Sequence, residues 1–386
     1  MPPRLVYLDY NATTPMDIRV LQAMNPFFTQ QFGNAASNHA AGIVAKAAVE
    51  KARTQVAAIL RARADEIVFT SGATESNNLA IKGIAEANPT RRHIITQQTE
   101  HKAVLDTCLA LEQRGWRITW LKPTPDGTVT ADQVAAAMGE DTSLVTIMWA
   151  NNEIGTVQPV RAIGAVCRAK RVAFHTDATQ AVGKLPIDVN ADNIDLLSLS
   201  AHKLYGPKGA GALFVRSGTP VQIQMDGGGH ERGMRSGTLN VPGIVGLGAA
   251  CAVAAQELPA EATRLATLRD QLEGGIIRQL RGVTVNGSTL HRLPHCTNLS
   301  FAGVDGEALL AGFDEVCISS GSACTSALKS PSFVLKAIDV PDALALASVR
   351  YSLGRMTTQA DIDAAIMKTV SLVNSLRPAT LQTNPA

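Results

Sequence analysis

The middle of the chain alternates short apolar runs with longer stretches of helical periodicity. The apolar runs lack regular alternation with polar residues, which is typical of strands buried on both faces of a sheet. Six runs are predicted as strands, at residues 66–70, 93–96, 144–149, 172–177, 195–200 and 211–215. Helices are predicted between several of them, for example at 131–138 and 160–170. Strands that alternate with helices predict an α/β fold with a mostly parallel central sheet.

The pattern changes near Glu257, where a long charged helix begins and is followed by short strands and helices. We therefore expect a large domain over residues 15–256. A smaller α+β domain is expected to combine residues 1–14 with 257–376, and residues 377–386 are predicted to form a flexible tail. A chain of 386 residues is in keeping with two domains.

Composition narrows the classes of function. Hydrophobic residues make up 46% of the chain and charged residues 18%, which predicts a globular protein. A net charge of +2 and an aromatic content of 4% give no basis for direct nucleic-acid binding. The N-terminus lacks the apolar core of a signal peptide, and the apolar run from Val241 is short and rich in glycine for a membrane span. We expect a cytoplasmic protein without a membrane segment.

The six cysteines are scattered and form no C-x-x-C pair, so neither a disulfide framework nor a zinc site is expected. Cys317 and Cys324 lie in the stretch CISSGSACTSALKS at residues 317–330. The residues alone leave two interpretations open, a plain turn or a loop that carries a reactive thiol. Cys317 lies in the apolar, strand-like run EVCISS and is predicted to be a buried packing residue.

Lys203 and Asp177 follow consecutive predicted strands. Lys203 lies between an apolar strand and a glycine turn. It is either a solvated loop lysine or a partly desolvated nucleophile of the kind that forms a Schiff base. Asp177 either caps a turn or holds a protonated ring nitrogen, as a pyridoxal phosphate (PLP) site requires. Ligands bind at the carboxyl ends of strands in such sheets, so both side chains are expected at one site.

Other polar segments have two interpretations each. Thr74 lies at a predicted helix start, where hydroxyls either cap the helix or help to bind an anion. His101 is either an ordinary residue at a helix start or a ring that stacks on a cofactor and moves protons. The glycine-rich segment 227–238 is either a solvated loop or a phosphate-binding loop across a subunit boundary. Arg350 forms either a surface ion pair or a bidentate contact with a substrate carboxylate.

Seven motifs, taken together and in this order, resemble those of one enzyme family. They are SGATESNN, EHKAV, ANNEIGT, HTDATQAVGK, SAHKLYGPKG, GGGHERGMRSGT and SSGSACTS. The chain resembles the group I cysteine desulfurases, the NifS/IscS-type PLP enzymes, from YLDYNATTP (7–15) to VRYSLGR (349–355). This resemblance implies the fold of type I PLP-dependent transferases, with a large domain around a mostly parallel sheet and a smaller C-terminal domain. Two segments depart from the family pattern, namely FGNAASNH and the residues after Cys324.

The resemblance also implies a role for each matching residue. Lys203 would bond to PLP, Asp177 would hold the ring nitrogen and His101 would stack on the ring. The other residues that would contact cofactor or substrate are Gln180 at the ring hydroxyl, Ala73, Thr74, Ser200 and His202 at the phosphate, Thr238 at the phosphate of the second subunit in a homodimer, and Asn152 and Arg350 at the substrate carboxylate. No metal site is implied.

The implied activity is cysteine desulfuration, with Cys324, Lys203 and His101 as catalytic residues. L-Cysteine would give L-alanine and a persulfide on Cys324. That sulfur would pass to an acceptor protein in iron–sulfur cluster assembly, tRNA thiolation or DNA phosphorothioation. Because Cys324 has no charged neighbour in sequence, we expect its activation to come from His101 or the cofactor. The alternatives are a selenocysteine lyase or other type I PLP enzyme, and a non-catalytic partner in a sulfur-transfer assembly.

Overall fold

The computed structural model describes residues 5–321 and 330–377. Cys324, most of the predicted 317–330 loop and all but the first residue of the predicted tail lie outside these ranges. The strands are β1 (Val6–Tyr7), β2 (Ile67–Thr70), β3 (His93–Gln97), β4 (Arg117–Leu121), β5 (Thr142–Thr146), β6 (Ala173–Asp177), β7 (Leu196–Ser200), β8 (Gly211–Val215), β9 (Val283–Val285), β10 (Cys296–Phe301), β11 (Val316–Cys317) and β12 (Ser348–Ser352). The α-helices are α1 (Ile18–Met24), α2 (Pro26–Thr29), α3 (Ala40–Leu60), α4 (Ala73–Ala87), α5 (Lys102–Glu112), α6 (Ala131–Ala137), α7 (Val160–Lys170), α8 (Val241–Gln279), α9 (Gly306–Ala311), α10 (Phe333–Ala337), α11 (Asp342–Leu346) and α12 (Gln359–Leu376).

In the described part of the chain, seven strands form the central sheet, in the order β2-β8-β7-β6-β5-β3-β4. The strands from β7 to β4 are parallel to one another, and β8 is antiparallel to both of its neighbours. Most of their side chains are buried on both faces, because helices cover the sheet. The prediction of a mostly parallel sheet flanked by helices is confirmed. All six predicted strands exist, although β5 begins two residues before the predicted run and ends three before its end.

A second group of strands lies in the C-terminal part of the chain. Strands β12, β10 and β9 form an antiparallel sheet in that order. The N-terminal strand β1 pairs in parallel with β11, and Asp9 bridges to Ser352 of β12. Leu8, Leu272, Phe301 and Tyr351 are among the residues of a separate hydrophobic core under these strands. The N-terminal segment therefore packs against strands that lie far from it in sequence.

Helix α8 connects the two cores. It runs without a break for 39 residues, across the predicted domain boundary at 256/257, with Pro259 inside it. Its first half packs in the core of the central sheet and its second half in the C-terminal core. A side chain at Gly248 would lie 2.6 Å from the Cα atom of Ala52, so glycine lets α8 approach α3 closely. By length and composition α8 could cross a membrane, but half of its most apolar window is buried inside the protein.

Candidate active site

A cavity of about 420 Å³ lies at the carboxyl ends of the central strands. It is the place where the polar segments that follow β2, β3, β6 and β7 meet, because parallel strands end at the same edge of the sheet. The sequence-predicted residues that line it are Ala73, Thr74, His101, Asn152, Asp177, Gln180, Ser200, His202, Lys203 and Arg350. The structure therefore brings ten of the twelve predicted site residues to one cavity.

Asp177 ends β6 and points into this cavity from a buried position. Asn77 donates a hydrogen bond from Nδ2 to one carboxylate oxygen at 2.7 Å. The backbone N–H of Thr179 donates to the other oxygen at 3.0 Å. The two contacts fix the plane of the carboxylate, so that its orientation toward a ligand is set before anything binds.

His101 precedes the first residue of α5 and caps that helix. Its Nδ1 accepts a hydrogen bond from the backbone N–H of Ala103 at 3.1 Å. An accepting Nδ1 requires a neutral ring, with its proton on Nε2. Burial lowers the pKa of His101, although the negative charge of Asp177 opposes this in part. At neutral pH the ring is thus an uncharged group that can stack on a ligand and donate from Nε2.

Lys203 lies in a short turn of 3₁₀-helix directly after β7. Its Nζ donates to the backbone carbonyls of Asn11 at 2.6 Å and of Ala12 at 2.7 Å. These carbonyls belong to the N-terminal segment, which the sequence interpretation did not place at the site. Backbone oxygens accept hydrogen bonds but carry no full charge, so they hold the amine without neutralising it.

The N-terminal end of α4 provides an anion-binding geometry. Gly72 has a φ of +154° and precedes the first turn of the helix, whose backbone N–H groups have no partner inside the helix. Thr74, Ser200 and His202 line the same part of the cavity. Burial and the charge of Lys203 lower the pKa of His202 to about 4, so it is a neutral hydrogen-bonding group at pH 7. Hydroxyl, imidazole and backbone donors of this kind suit a phosphate.

Arg350 approaches the cavity from β12 and is almost fully buried. Its Nη1 donates to the backbone carbonyl of Asn152 at 2.9 Å, and its Nη2 donates to Asp9 Oδ1 at 2.6 Å. Its Nε is buried and has no hydrogen-bond partner within residues 5–321 and 330–377. A buried guanidinium with an unused donor at a cavity is suited to a carboxylate ligand.

Thr238 is exposed and is not among the residues that line this cavity. It ends a loop that two ion pairs hold in place. Arg53 contacts Glu231 at 2.7 Å with both side chains buried, and Arg235 contacts Glu75 at 2.7 Å. Glu231 and Arg232 have positive φ angles, which non-glycine residues rarely adopt. The guanidinium of Arg235 is therefore paired with the carboxylate of Glu75.

Cys324 lies outside the described residues, but the chain on either side of it is described. Ser319 pairs through its backbone with Arg350, and a side chain at Gly321 would lie 3.1 Å from Glu153 Oε2. After the gap, the Ser332 hydroxyl donates to the same Glu153 oxygen. Both ends therefore lie beside Glu153, the residue after Asn152, and the first of them also lies beside Arg350. Cys317 is in β11 and is half-buried, so its prediction as a buried residue is wrong, because this two-strand edge leaves it partly uncovered.

Three residues at the site escaped the sequence interpretation. Glu100 is completely buried, and burial raises its pKa to about 8. Its Oε1 accepts hydrogen bonds from the Met148 N–H and from Gln97. Asn11 and Lys184 contact Gln180 from two sides. Glu100 and Lys184 lie inside two of the seven motifs and Asn11 inside YLDYNATTP, but their residue types gave no signal of a role at the site.

The side chains present fit PLP. Asp177 offers an acidic partner for a pyridine nitrogen, His101 a ring, and Lys203 an amine within the same cavity. Donors for a phosphate lie at the start of α4, and the unpartnered Nε of Arg350 marks a place for a substrate carboxylate. For a metal ion, no group of three or more ligating side chains occurs in the part of the chain that the structure describes.

Comparison with known proteins agrees with this geometry. Residues 6–365 match the class-V aminotransferase family. The cysteine desulfurase IscS of Anaeromyxobacter sp. (strain K) is 53% identical over 96% of this chain and 93% of its own length. A solved NifS-like protein superposes with a TM-score of 0.90 at 38% identity, covering 96% of this chain and all of that one. A structure of SspA in complex with cysteine has a TM-score of 0.81 at 40% identity, covering 90% and 98%.

The chain belongs to the class-V aminotransferase family and, within it, to the cysteine desulfurases. The fold class and the family predicted from the motifs are thereby confirmed, as is the prediction of an enzyme of the desulfurase class. The roles of individual residues, the domain boundaries and the homodimer stay predictions.

Proposed function

We propose that the protein removes sulfur from L-cysteine with PLP as its cofactor and carries that sulfur as a persulfide on Cys324. The observation that carries this proposal is the convergence of Lys203, Asp177, His101 and Arg350 on one cavity. The amine, the carboxylate, the ring and the guanidinium are the groups that a PLP enzyme acting on an amino acid needs. The desulfurase relatives and the cysteine complex of SspA support this choice of substrate.

Arg350 and Asn152 would hold the carboxylate of the substrate. The guanidinium is fixed on two sides, by Asp9 and by the Asn152 carbonyl, and its unpartnered Nε is the donor left for the ligand. A substrate held in this way has one orientation relative to Lys203, which is how positioning contributes to rate.

Lys203 would move a proton at the substrate Cα. The carbonyls of Asn11 and Ala12 accept hydrogen bonds from Nζ, so they hold the amine near the cavity whenever it carries an extra proton. Asp177 would partner the ring nitrogen, with its plane fixed by Asn77 and Thr179. When bound, PLP would supply an electron sink for the charge left at Cα.

The Cys324 thiolate would then accept the sulfur. The C–S bond of the substrate breaks, an S–S bond forms on Cys324, and the former cysteine carbon gains a proton to give L-alanine. The described ends of the segment that contains Cys324 lie next to Arg350 and Glu153, which supports delivery of this thiol to the cavity. His101 lies in the cavity and can donate from Nε2, so it is the group we assign to stabilise the thiolate of Cys324.

The wider context follows from the family resemblance. The persulfide would pass to an acceptor protein, such as an iron–sulfur scaffold or a thiolation protein. A homodimer in the cytoplasm would place the exposed Thr238 of one subunit at the phosphate of the other. The ion pairs that hold residues 227–238 support a fixed position for that residue.

The test is release of alanine from L-cysteine, with and without a thiol reductant, together with persulfide labelling. We expect native protein and Cys317→Ala to make alanine and a labelled persulfide, and Cys324→Ala to make neither. Cys317→Ala is the matched control, because it removes the other thiol of the same stretch. Equal alanine release by native protein and Cys324→Ala would favour a lyase, such as a selenocysteine lyase. Absence of alanine from native protein loaded with PLP would refute the proposal.

A further inference from the structure

Lys184 contacts the cavity residue Gln180 from the side away from the cavity. Its Nζ donates a hydrogen bond to Gln180 Oε1 at 2.7 Å. A lysine ammonium has donors only, so the amide atom that faces it must be the oxygen. The amide nitrogen of Gln180 is thereby turned the other way, where it donates to the backbone carbonyl of Asn11 at 3.0 Å.

The same carbonyl links Gln180 to the amine of Lys203. Asn11 O also accepts a hydrogen bond from Lys203 Nζ at 2.6 Å. Asn11 is itself held, because His295 Nε2 contacts its Oδ1 at 2.7 Å and Ser352 Oγ accepts from its N–H at 2.9 Å. A continuous chain of hydrogen bonds therefore runs from Lys184 through Gln180 and Asn11 to Lys203.

The surroundings of Lys184 are unusual for a lysine. It lines an interior cavity of about 20 Å³, whose other walls include Lys203, Glu261 and His295. Part of its stem reaches an outer groove formed with Leu258 and Pro259. Burial lowers the pKa of the amine to about 7. Among the neighbouring charged residues, Lys203 and Arg350 lower this pKa further, and Glu261 raises it.

Burying the charged end of a lysine costs free energy unless hydrogen bonds or counter-charges compensate. The hydrogen bond to Gln180 is one such contact. The nitrogen of the Gln180 amide has two hydrogens, and Asn11 takes one of them. Within residues 5–321 and 330–377 this nitrogen has no second acceptor, and Gln180 lines the cavity.

We infer that Lys184 is a positioning residue that fixes Gln180 with its amide nitrogen toward the cavity, so that Gln180 donates to an oxygen of the bound cofactor. The inference rests on the proposed function, since the cofactor is taken to be PLP. A donor beside the ring oxygen stabilises its anionic form, and the positive charge that Lys184 carries when protonated acts in the same direction. Both effects lower the pKa of the nitrogen that joins Lys203 to the cofactor.

The experiment is a pH titration of the visible absorbance of the PLP-loaded protein. In Lys184→Met, which keeps most of the stem, we expect the midpoint to rise by about one pH unit, the size of one lost nearby charge or donor. In Lys184→Arg, which keeps donors and charge, the midpoint should stay near that of the native protein. The dissociation constant of PLP, measured by equilibrium dialysis, should rise several-fold only in Lys184→Met.

Lys170→Met is the matched control, because Lys170 also donates to an uncharged oxygen, that of Ala135, but at the surface. Its midpoint should not move. Gln180→Glu provides a second test with Lys184 intact, since a carboxylate removes the donor, and its midpoint should also rise. An unchanged midpoint in either Lys184→Met or Gln180→Glu, or an equal shift in Lys170→Met, would overturn the inference.

These outcomes separate the inference from the proposed function. If native protein binds PLP and releases alanine while the midpoints do not move, only the inference fails. If native protein binds PLP but releases no alanine, the function fails, and a shifted midpoint still supports the role of Lys184. If native protein does not bind PLP, both are overturned.

Discussion

The Ser332 hydroxyl donates a hydrogen bond to Glu153 Oε2 at 2.5 Å. The same oxygen lies 3.1 Å from the point where a side chain on Gly321 would begin. One buried carboxylate therefore adjoins both described ends of the segment that contains Cys324. Ser332 also caps α10, since its hydroxyl accepts from the backbone N–H groups of Val334 and Leu335.

We expect Ser332→Ala to slow persulfide formation on Cys324 by about tenfold, because its removal releases one end of the segment from Glu153. The lost cap should also cost about 1 kcal/mol of stability. Ser332→Thr keeps the hydroxyl and should retain both properties. The rate is measured by persulfide labelling in a single turnover, and equal rates for all three proteins would contradict the prediction.

The role of His101 in activating the Cys324 thiol can be separated from its role as a helix cap. His101→Asn keeps a side-chain acceptor for the Ala103 N–H, whereas His101→Ala does not. Burial lowers the pKa of the native ring, so it gains a proton only below the usual histidine range. We expect the acidic limb of the pH profile for persulfide formation to move to higher pH in both variants, because the thiol loses the group that lowers its pKa, with stability falling mainly in His101→Ala. A profile unchanged by either variant would exclude His101 as the activating group.

Glu100 should make the stability of the protein depend on pH. Its folded pKa of about 8 lies above the unfolded value of a glutamate, so the folded state binds the extra proton more tightly. The contribution of Glu100 to stability is therefore present in full below about pH 4.5 and is lost as pH rises to about 8. Glu100→Gln copies the protonated shape and should remove this slope, gaining up to a few kcal/mol over native protein at pH 8. Denaturation curves measured from pH 5 to pH 8 give the free energy of unfolding of each protein. The same dependence on pH in both proteins would contradict the prediction.

Asp9 holds the guanidinium of Arg350 through a 2.6 Å contact. We expect Asp9→Ala to raise KM for cysteine by about tenfold, because Arg350 loses one of the two contacts that orient it. PLP affinity should not change, since Asp9 is not among the residues that line the cavity. Steady-state alanine release measures the effect. Asp314→Ala removes an exposed partner of Lys368 and should leave KM unaltered.

The buried pair of Arg53 and Glu231 should dominate the stability of the 227–238 loop. The side chains are 4% and 1% exposed, so Glu231→Gln removes the buried counter-charge of Arg53 and leaves it only the exposed carboxylate of Glu50. We expect a loss of about 3 kcal/mol or more in the free energy of unfolding. Asp65→Asn breaks an exposed pair with Arg63 and should change stability by less than about 1 kcal/mol. Similar losses in the two variants would show that the buried pair has no special weight.

Periodicity predicted the strands of the central sheet because they are buried on both faces and read as unbroken apolar runs. It missed β4, whose residues are only partly covered and include an exposed arginine. It also extended β5 to Trp149, because Met148 and Trp149 are buried although they lie beyond the strand. Burial and pairing are different properties, and an apolar run reports only the first.

At the site, residue type and place after a strand were enough to select Asp177 and Lys203. Glu100 and Lys184 could not be selected in this way. A glutamate or lysine is usually solvated, and only the packing of distant segments around these two shows that their charged ends are inside. The contacts of Lys203 with the backbone carbonyls of Asn11 and Ala12 could not be predicted either, since every residue has a carbonyl.

The pairing of β1 with β11 has a consequence for synthesis of the protein. Val6 leaves the ribosome early, yet its partner Val316 follows roughly three hundred residues later, a separation that makes this contact slow to form. Strand β1 must remain unpaired until β11 has been made, and Arg350 of β12 reaches the cavity later still. The nascent chain therefore completes its catalytic cavity among the last events of folding, so a truncated product would have the sheet but not the finished site.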